Sequence, residues 1–226
     1  MKLLTEIEFN DLIDGAELLK SDRHGPKVYR RSDATYVKLF RQKRFFSLST
    51  IFPYVKHFKR NSRHLKKRGI DTVNVNALYN CPEIKRTIIV YDELEGELLR
   101  TVLTNSPSNK LIQQLIQFLA DLHKKGIYFR SIHLENIVLQ PSGKLGLIDI
   151  ADMRTRRYSL GAFRRVRNLC HLFKYKEDVE LLSVNGKLDA FLNDYLQYAK
   201  LGFIQQPLFV WFVHKYIDPK FKLTND

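Results

Sequence analysis

The residue types best suited to chemistry crowd between Tyr128 and Asp152, in the run YFRSIHLENIVLQPSGKLGLIDIAD. Within it Ile137-Val138-Leu139 reads as a short apolar strand, Pro141-Ser142-Gly143 as a turn, and Leu145-Gly146-Leu147-Ile148 as the returning strand. The register this spacing predicts pairs 137 with 148 and 139 with 146. Asn136 and Asp149 then oppose each other at the open end of a hairpin. An amide oxygen and a carboxylate meeting there suit a hard cation, because Mg²⁺ takes one or two protein ligands and fills its shell with water and substrate phosphates. Turn chemistry offers a second explanation, since Asn and Asp also flank hairpin strands for backbone reasons.

The elements around this run fall into two kinds. Upstream, strands are predicted at 16–20, 28–31, 35–40 and 85–91, with a turn at His24-Gly25-Pro26. One basic helix is predicted over 45–68, interrupted near Pro53 and ended by Gly69. Downstream, apolar residues at 111, 112, 115, 116, 118, 119 and 122 mark a helix with one buried face. Ser108 or Asn109 can cap its start and Gly126 its end. The tail from Leu188 to Phe221 predicts two or three more helices rich in Leu, Phe and Tyr.

Charge separates the chain further. Its 226 residues carry 38 Lys+Arg and 24 Asp+Glu, a net charge of +14. Ala34 to Ile70 holds 11 basic residues and no acid, and Met153 to Lys176 holds eight and no acid. The rest of the chain is slightly acidic, so two segments carry the entire excess. Such segments serve polyanions (nucleic acid, acidic membrane surfaces, phosphorylated ligands) or are simply solvated helix faces. With 44% hydrophobic residues the chain is a folded protein rather than a basic tail. Two cysteines, Cys81 and Cys170, exclude a disulfide scaffold and point to a reducing compartment. The stretch from Leu201 to His214 is too short and too polar to span a bilayer. The first residues lack the apolar core of a signal peptide, so the expected location is cytoplasmic, peripheral at the inner membrane face. No H-E-x-x-H, zinc-spaced cysteine pair, G-x-S-x-G or Walker-type G-x-x-x-x-G-K occurs.

Taken in order, several segments resemble the protein-kinase-like fold, in the form of the small bacterial Kdo/heptose lipopolysaccharide kinases, a group that includes members labelled toluene tolerance proteins. Leu122-His123-Lys124-Lys125-Gly126-Ile127 resembles the helix end before the catalytic loop. Arg130, Ile132-His133 and Asn136 match the loop itself, and Asp149 the Asp of the D-F-G element. Val37-Lys38-Leu39 resembles the strand with the phosphate-binding lysine, and residues 63–70 the end of the αC-like helix. Asp92-Glu93-Leu94-Glu95-Gly96 resembles the hinge.

The resemblance implies an α+β fold: a single bilobal domain with a small β-rich N-lobe (1–91), a hinge (92–97) and a reduced helical C-lobe (98–226). It implies an ATP- and Mg²⁺-dependent phosphotransferase acting on a sugar hydroxyl of an envelope glycolipid. Lys38, Glu93 and Leu94 would contact nucleotide, and Asn136 and Asp149 would hold metal. The basic segments 34–70 and 153–176 would border the active site and face an anionic glycolipid or the inner-membrane surface.

Several positions depart from the pattern. Ser131 stands where kinases place the Asp that receives the substrate proton, and a hydroxyl without an adjacent base is a poor acceptor at neutral pH. His133, two residues on, is the alternative base or a structural loop histidine. Phe129 replaces the motif's first His, and Asn168 stands where related kinases often have Asp. No acid in 34–70 can pair with Lys38, and Gly25 is all that remains of a glycine-rich loop. A loose phosphoryl-transfer transition state depends mainly on positioning and charge neutralisation, so slow catalysis is compatible with these changes. The rival expectations are a pseudokinase that binds or scaffolds, and a basic polyanion-binding protein, nucleic acid included, without catalysis.

Overall fold

A computed structural model describes residues 1–42, 53–183 and 188–221. The chain divides into two compact units, Met1–Leu94 and Glu95–Asp226.

The N-terminal unit is built on a six-stranded sheet in the order β1-β6-β7-β4-β3-β2. Its strands are β1 (Lys2–Leu3), β2 (Glu17–Asp22), β3 (Gly25–Arg30), β4 (Thr35–Arg41), β6 (Asn74–Cys81) and β7 (Arg86–Asp92). A short strand β5 (Asp71–Thr72) lies between helix α2 (Pro53–Lys66) and β6. Alternation along β4 decides what each sheet face carries. Val37 and Leu39 join Ile88, Val90 and Cys81 in a core closed by Phe9 of helix α1 (Glu6–Ile13). Tyr36, Lys38 and Phe40 point the other way, and there Phe58 of α2 lies against the rings of Phe40 and Tyr91. β7 reads as a nearly continuous apolar run because both its faces are covered.

One expectation is corrected here. The unit has a second helix, α1, which begins with a capping box: Thr5 Oγ1 accepts from the Glu8 N–H, and the Glu8 carboxylate accepts from the Thr5 N–H. Of the long basic helix predicted over 45–68, the described part is Pro53–Lys66, and residues 43–52 lie outside the described residues. α2 buries Val55, Phe58, Asn61, Ser62 and Leu65 and turns Arg60, Arg63 and Lys66 to solvent.

The C-terminal unit is mainly helical: α3 (Leu99–Asn105), α4 (Asn109–Lys124), α5 (Ala162–Leu172), α6 (Lys176–Leu182), α7 (Asp189–Ala199), α8 (Gln205–Tyr216) and α9 (Asp218–Phe221). The predicted tail helices are therefore present. α4 starts on Ser108, whose side chain accepts from the Leu111 N–H, and buries Leu111, Leu115, Ile116, Leu119 and Leu122. Between α4 and α5 lie β9 (Ile127–Phe129), β10 (Ile137–Leu139), β11 (Leu145–Leu147) and β12 (Met153–Thr155). β10 pairs with β11 and with β8 (Glu97–Leu98), while β12 pairs antiparallel with β9. Gly126 makes the last pairing possible. Its φ is +73°, and a Cβ there would sit 2.4 Å from the Tyr158 carbonyl oxygen.

The predicted hairpin exists, but its register is shifted by one residue. Ile137 pairs with Leu147, Val138 with Gly146 and Leu139 with Leu145. The turn is the cause. Gln140 and Lys144 close a three-residue loop in which the Gly143 N–H reaches the Gln140 carbonyl at 2.8 Å and Gly143 itself is left-handed. Pro141 suits the first turn position and glycine the left-handed one, the geometry of a type I turn with a bulge. A two-residue turn would be needed for the predicted register.

Candidate functional site

The shifted register sets Asn136 opposite Ile148, whose N–H donates to the Asn136 carbonyl at 3.0 Å. Asp149 is the next residue, and there the chain leaves the ladder in the left-handed region, with φ 51° and ψ 43°. Asp is one of the few residues with a side chain that visits this region readily. The turn leaves Asp149 solvent-exposed at the strand end beside Asn136.

Asn136 is only 7% exposed and its amide is fixed. Nδ2 donates to the Ser131 carbonyl at 2.8 Å and faces His133 Nε2 at 3.0 Å. The carbonyl contact requires a donor, so Nδ2 must occupy that position and His133 Nε2 is the acceptor. Two consequences follow. Asn136 Oδ1 makes no hydrogen bond among the described residues, which is the state a cation ligand needs. His133 carries its proton on Nδ1, which is buried without a partner. Burial also holds the His133 pKa below its ordinary value. Its lone pair is thus committed to Asn136.

The loop between β9 and β10 is anchored from beneath. Asp178, fully buried on α6, accepts from the Leu134 N–H at 3.1 Å and from Arg100 Nε at 2.7 Å. Arg100 also reaches Glu135 at 2.9 Å, and its guanidinium lies over Tyr175, whose ring meets His133 edge-on. A second buried network holds β9. Asn168 Nδ2 donates to the Phe129 carbonyl at 2.6 Å, and its Oδ1 lies 2.9 Å from His123 Nε2. His123 Nδ1 meets the Tyr195 hydroxyl, which also accepts from Arg165. Burial pushes the His123 pKa down to about 3, so this ring is a neutral core histidine. The amide of Asn168 thus fastens Phe129, the residue at the motif's first His.

Ser131 does not stand alone. Its hydroxyl donates to Asp152 Oδ2 at 2.6 Å, and Asp152 Oδ1 is buried with no partner among the described residues. Sequence reasoning missed Asp152, Asp178 and Arg100. The pairing of Met153 with Phe129 is what carries Asp152 to the loop, and in the run after Asp149 only Ile150 and Thr155 are β-favouring residues that could signal it.

In the N-terminal unit, Lys38 sits on β4 between Val28 of β3 and Ile89 of β7. Its ammonium lies 5.6 Å from the Phe40 ring centre and 5.9 Å from that of Phe58. The helix therefore offers the lysine an aromatic face where an acid was missing. Glu93 is engaged within its own unit: its carboxylate accepts from Arg30 at 3.0 Å and from the Tyr36 hydroxyl at 2.7 Å. Burial, reinforced by that bond, pushes the Tyr36 pKa up to about 12. The Glu93 N–H is spent on the Ala34 carbonyl, and Leu94 is half-buried. The β2–β3 connection is a tight turn at Arg23-His24 ahead of Gly25, with the His24 carbonyl held by Arg86 at 2.6 Å. Of the basic residues in 153–176, Arg165 is buried at the end of the β9 network, while Arg154, Arg157, Arg164 and Arg167 are exposed. That correction removes one charge from the proposed polyanion surface.

Among the described residues, no group of three or more His, Cys, Asp and Glu side chains could enclose a metal, and no helix is long and apolar enough to cross a membrane. No family model and no curated protein matches the sequence. Solved structures do. Monomeric WbdD is similar at 18% identity over 82% of this chain and 43% of that one, with a TM-score of 0.47. The bifunctional kinase-methyltransferase WbdD is similar at 15% identity over 83% and 46%, with a TM-score of 0.42. A divergent kinase lacking the glycine-rich loop, which regulates membrane ultrastructure of the Toxoplasma parasitophorous vacuole, is similar at 17% identity over 95% and 76%, with a TM-score of 0.46. The chain spans less than half the length of the WbdD chains it matches. The fold is α+β, and the structures it resembles are kinases.

Proposed function

We propose that this protein is an ATP- and Mg²⁺-dependent phosphotransferase whose acceptor is a sugar hydroxyl of an anionic envelope glycolipid. The carrying observation is the pair at the β10–β11 hairpin end: an amide oxygen on Asn136 that makes no hydrogen bond among the described residues, and Asp149, an exposed residue at a left-handed turn. These two side chains would hold Mg²⁺, which when bound neutralises charge on the transferring phosphoryl group. Lys38 would add a cation for the nucleotide phosphates. The loop's role is positioning: Asp178 and Asn168 fix its backbone, so Ser131 and Asn136 are held without reorganisation.

Charge and exposed apolar surface in the C-terminal unit support this choice of acceptor class. Exposed Arg164 and Arg167 lie on α5, which meets α8 through Phe163 and Phe212, and on α8 Trp211 is 53% exposed while Phe203, in the loop before it, is 87% exposed. Lys215 lies 4.8 Å from the Trp211 ring centre, and Arg167 lies over Phe163. Exposed aromatic rings with cations over their faces suit the headgroup layer of an anionic membrane, where such a glycolipid resides.

The test supplies purified protein with ATP, Mg²⁺ and lipopolysaccharide core oligosaccharide and follows phosphate transfer. Labelled oligosaccharide that disappears on chelation with EDTA supports the reading. A wild-type protein that neither labels the acceptor nor hydrolyses ATP defeats it. A second reading, a pseudokinase that binds nucleotide without turnover, draws support from Ser131 and from Phe58 beside Lys38. It predicts a thermal shift with Mg²⁺ and ATP but no transfer.

A further inference from the structure

A phosphotransferase with serine at the loop position has lost the usual proton acceptor, and the fold has put a carboxylate against that serine. Ser131 Oγ donates to Asp152 Oδ2 at 2.6 Å, the ordinary length of a charge-assisted hydroxyl–carboxylate bond. The contact joins residues 21 apart in sequence and rests on the β9–β12 ladder, in which Met153 pairs with Phe129. Asp152 therefore arrives from the segment after Asp149, not from the loop. Its other oxygen, Oδ1, is buried and has no hydrogen-bond donor among the described residues. A carboxylate tied only at Oδ2 keeps lone pairs unspent.

The loop's other basic group is differently placed. His133 Nε2 accepts from Asn136 Nδ2, so taking up a proton there would break the bond that orients Asn136. Ser131 has a base at hand; His133 has its lone pair occupied.

We infer that Asp152 is the positioning residue that makes Ser131 a working proton relay, replacing the missing loop carboxylate; this rests on the phosphotransferase reading above. In the transfer step the acceptor oxygen bonds to the γ-phosphorus while the bond from that phosphorus to the β–γ bridging oxygen breaks, and ADP departs with the electron pair. The acceptor's proton passes to Ser131 Oγ as the serine's own proton passes to Asp152 Oδ2. The protonated carboxyl returns its proton to solvent after release. Charge and atoms balance with ATP as the only co-substrate.

The experiment measures kcat and the KM for ATP with core oligosaccharide as acceptor. It compares wild type, Asp152→Asn, Ser131→Ala, both together, and Asp152→Asn combined with Ser131→Asp. Removing an acid–base group typically costs 10²–10⁴-fold. The expected result is a loss of about that size in kcat for Asp152→Asn, with the KM for ATP and the Mg²⁺–ATP thermal shift within about threefold and a few degrees of wild type. Ser131→Ala should match it and the double variant should be no worse, because the two act as one unit. Ser131→Asp in the Asp152→Asn background should recover at least tenfold, since it returns a carboxylate to the loop. A purely structural clamp would not give that recovery. The inference is overturned if Asp152→Asn keeps wild-type kcat, if kcat and nucleotide binding fall together, or if Ser131→Asp restores nothing. In each of those cases the phosphotransferase reading stands as long as wild type transfers phosphate and Asp149→Asn does not. Absence of transfer by wild type overturns both.

Discussion

The two units treat their candidate residues in opposite ways. In the C-terminal unit the loop from Phe129 to Asn136 is determined from several directions at once, by Asp178 on Leu134, Asn168 on Phe129 and the Asn136 amide on Ser131. In the N-terminal unit the corresponding parts are pared down. The β2–β3 turn is tight, the helix offers Lys38 a phenylalanine, and the Glu93 side chain is used up on Arg30 and Tyr36. In the proposed transfer, positioning would therefore fall to the C-terminal unit and only a light grip on nucleotide to the N-terminal one. That division suits a reaction governed by placement and charge neutralisation.

The contrast can be broken by substitution, and the largest effect is expected where a buried charge loses its partner. Asp178→Ala leaves Arg100 Nε and the Leu134 N–H unsatisfied, and should cost about 3–5 kcal/mol in a urea titration. Asp149→Asn keeps a residue tolerant of the left-handed backbone. It should leave Tm near wild type while lowering kcat by on the order of 10²–10³-fold, the usual cost of one transition-state charge contact. Lys38→Ala should cost less, about 10- to 100-fold in kcat/KM, as one charged contact to phosphate is worth about 1.5–3 kcal/mol. If Lys38→Ala proves more damaging than Asp149→Asn, the contrast is wrong.

A pH titration sharpens it further. With the His123 pKa at about 3 in the fold, against about 6.5 unfolded, the unfolded chain binds the extra proton between those values. This contribution is whole above about pH 6.5 and is lost as pH falls through the window, by up to about 1.4 kcal/mol per pH unit. Urea midpoints at pH 7, 6, 5 and 4 should follow that slope, and His123→Gln should flatten it. The smallest effect is expected at Glu93, whose carboxylate serves its own sheet. Glu93→Ala should move the KM for ATP by less than about threefold, read from initial rates.

Much of this was legible along the chain. The apolar runs announced β4, β7 and β10–β11, and the α4 stripe and its Ser108 cap were visible as periodicity. Asn136 and Asp149 stood out because their types flank a readable hairpin. What stayed hidden depended on contacts distant in sequence. Asp178 lies 44 residues from Leu134 and reaches it only through the packing of α6. Asp152 needs β12 to fold back on β9. The hairpin register turned on whether its loop had two residues or three, a choice made by Gly143 entering the left-handed region. Helix α1 was missed despite a signal in plain sight, since Thr5 and Glu8 carry the spacing of a capping box. Arg165 reads as one more surface cation, and the Leu160 carbonyl with the Ser159 and Tyr195 hydroxyls, which accept from its guanidinium, explains why it turns inward.

The most direct test is a single-turnover transfer of labelled γ-phosphate from ATP to core oligosaccharide in Mg²⁺, wild type beside Asp149→Asn. The account predicts a labelled acceptor with wild type and a rate on the order of 10²–10³-fold lower with the variant, at unchanged Tm. Equal rates from the two proteins, or no label from either, would contradict it.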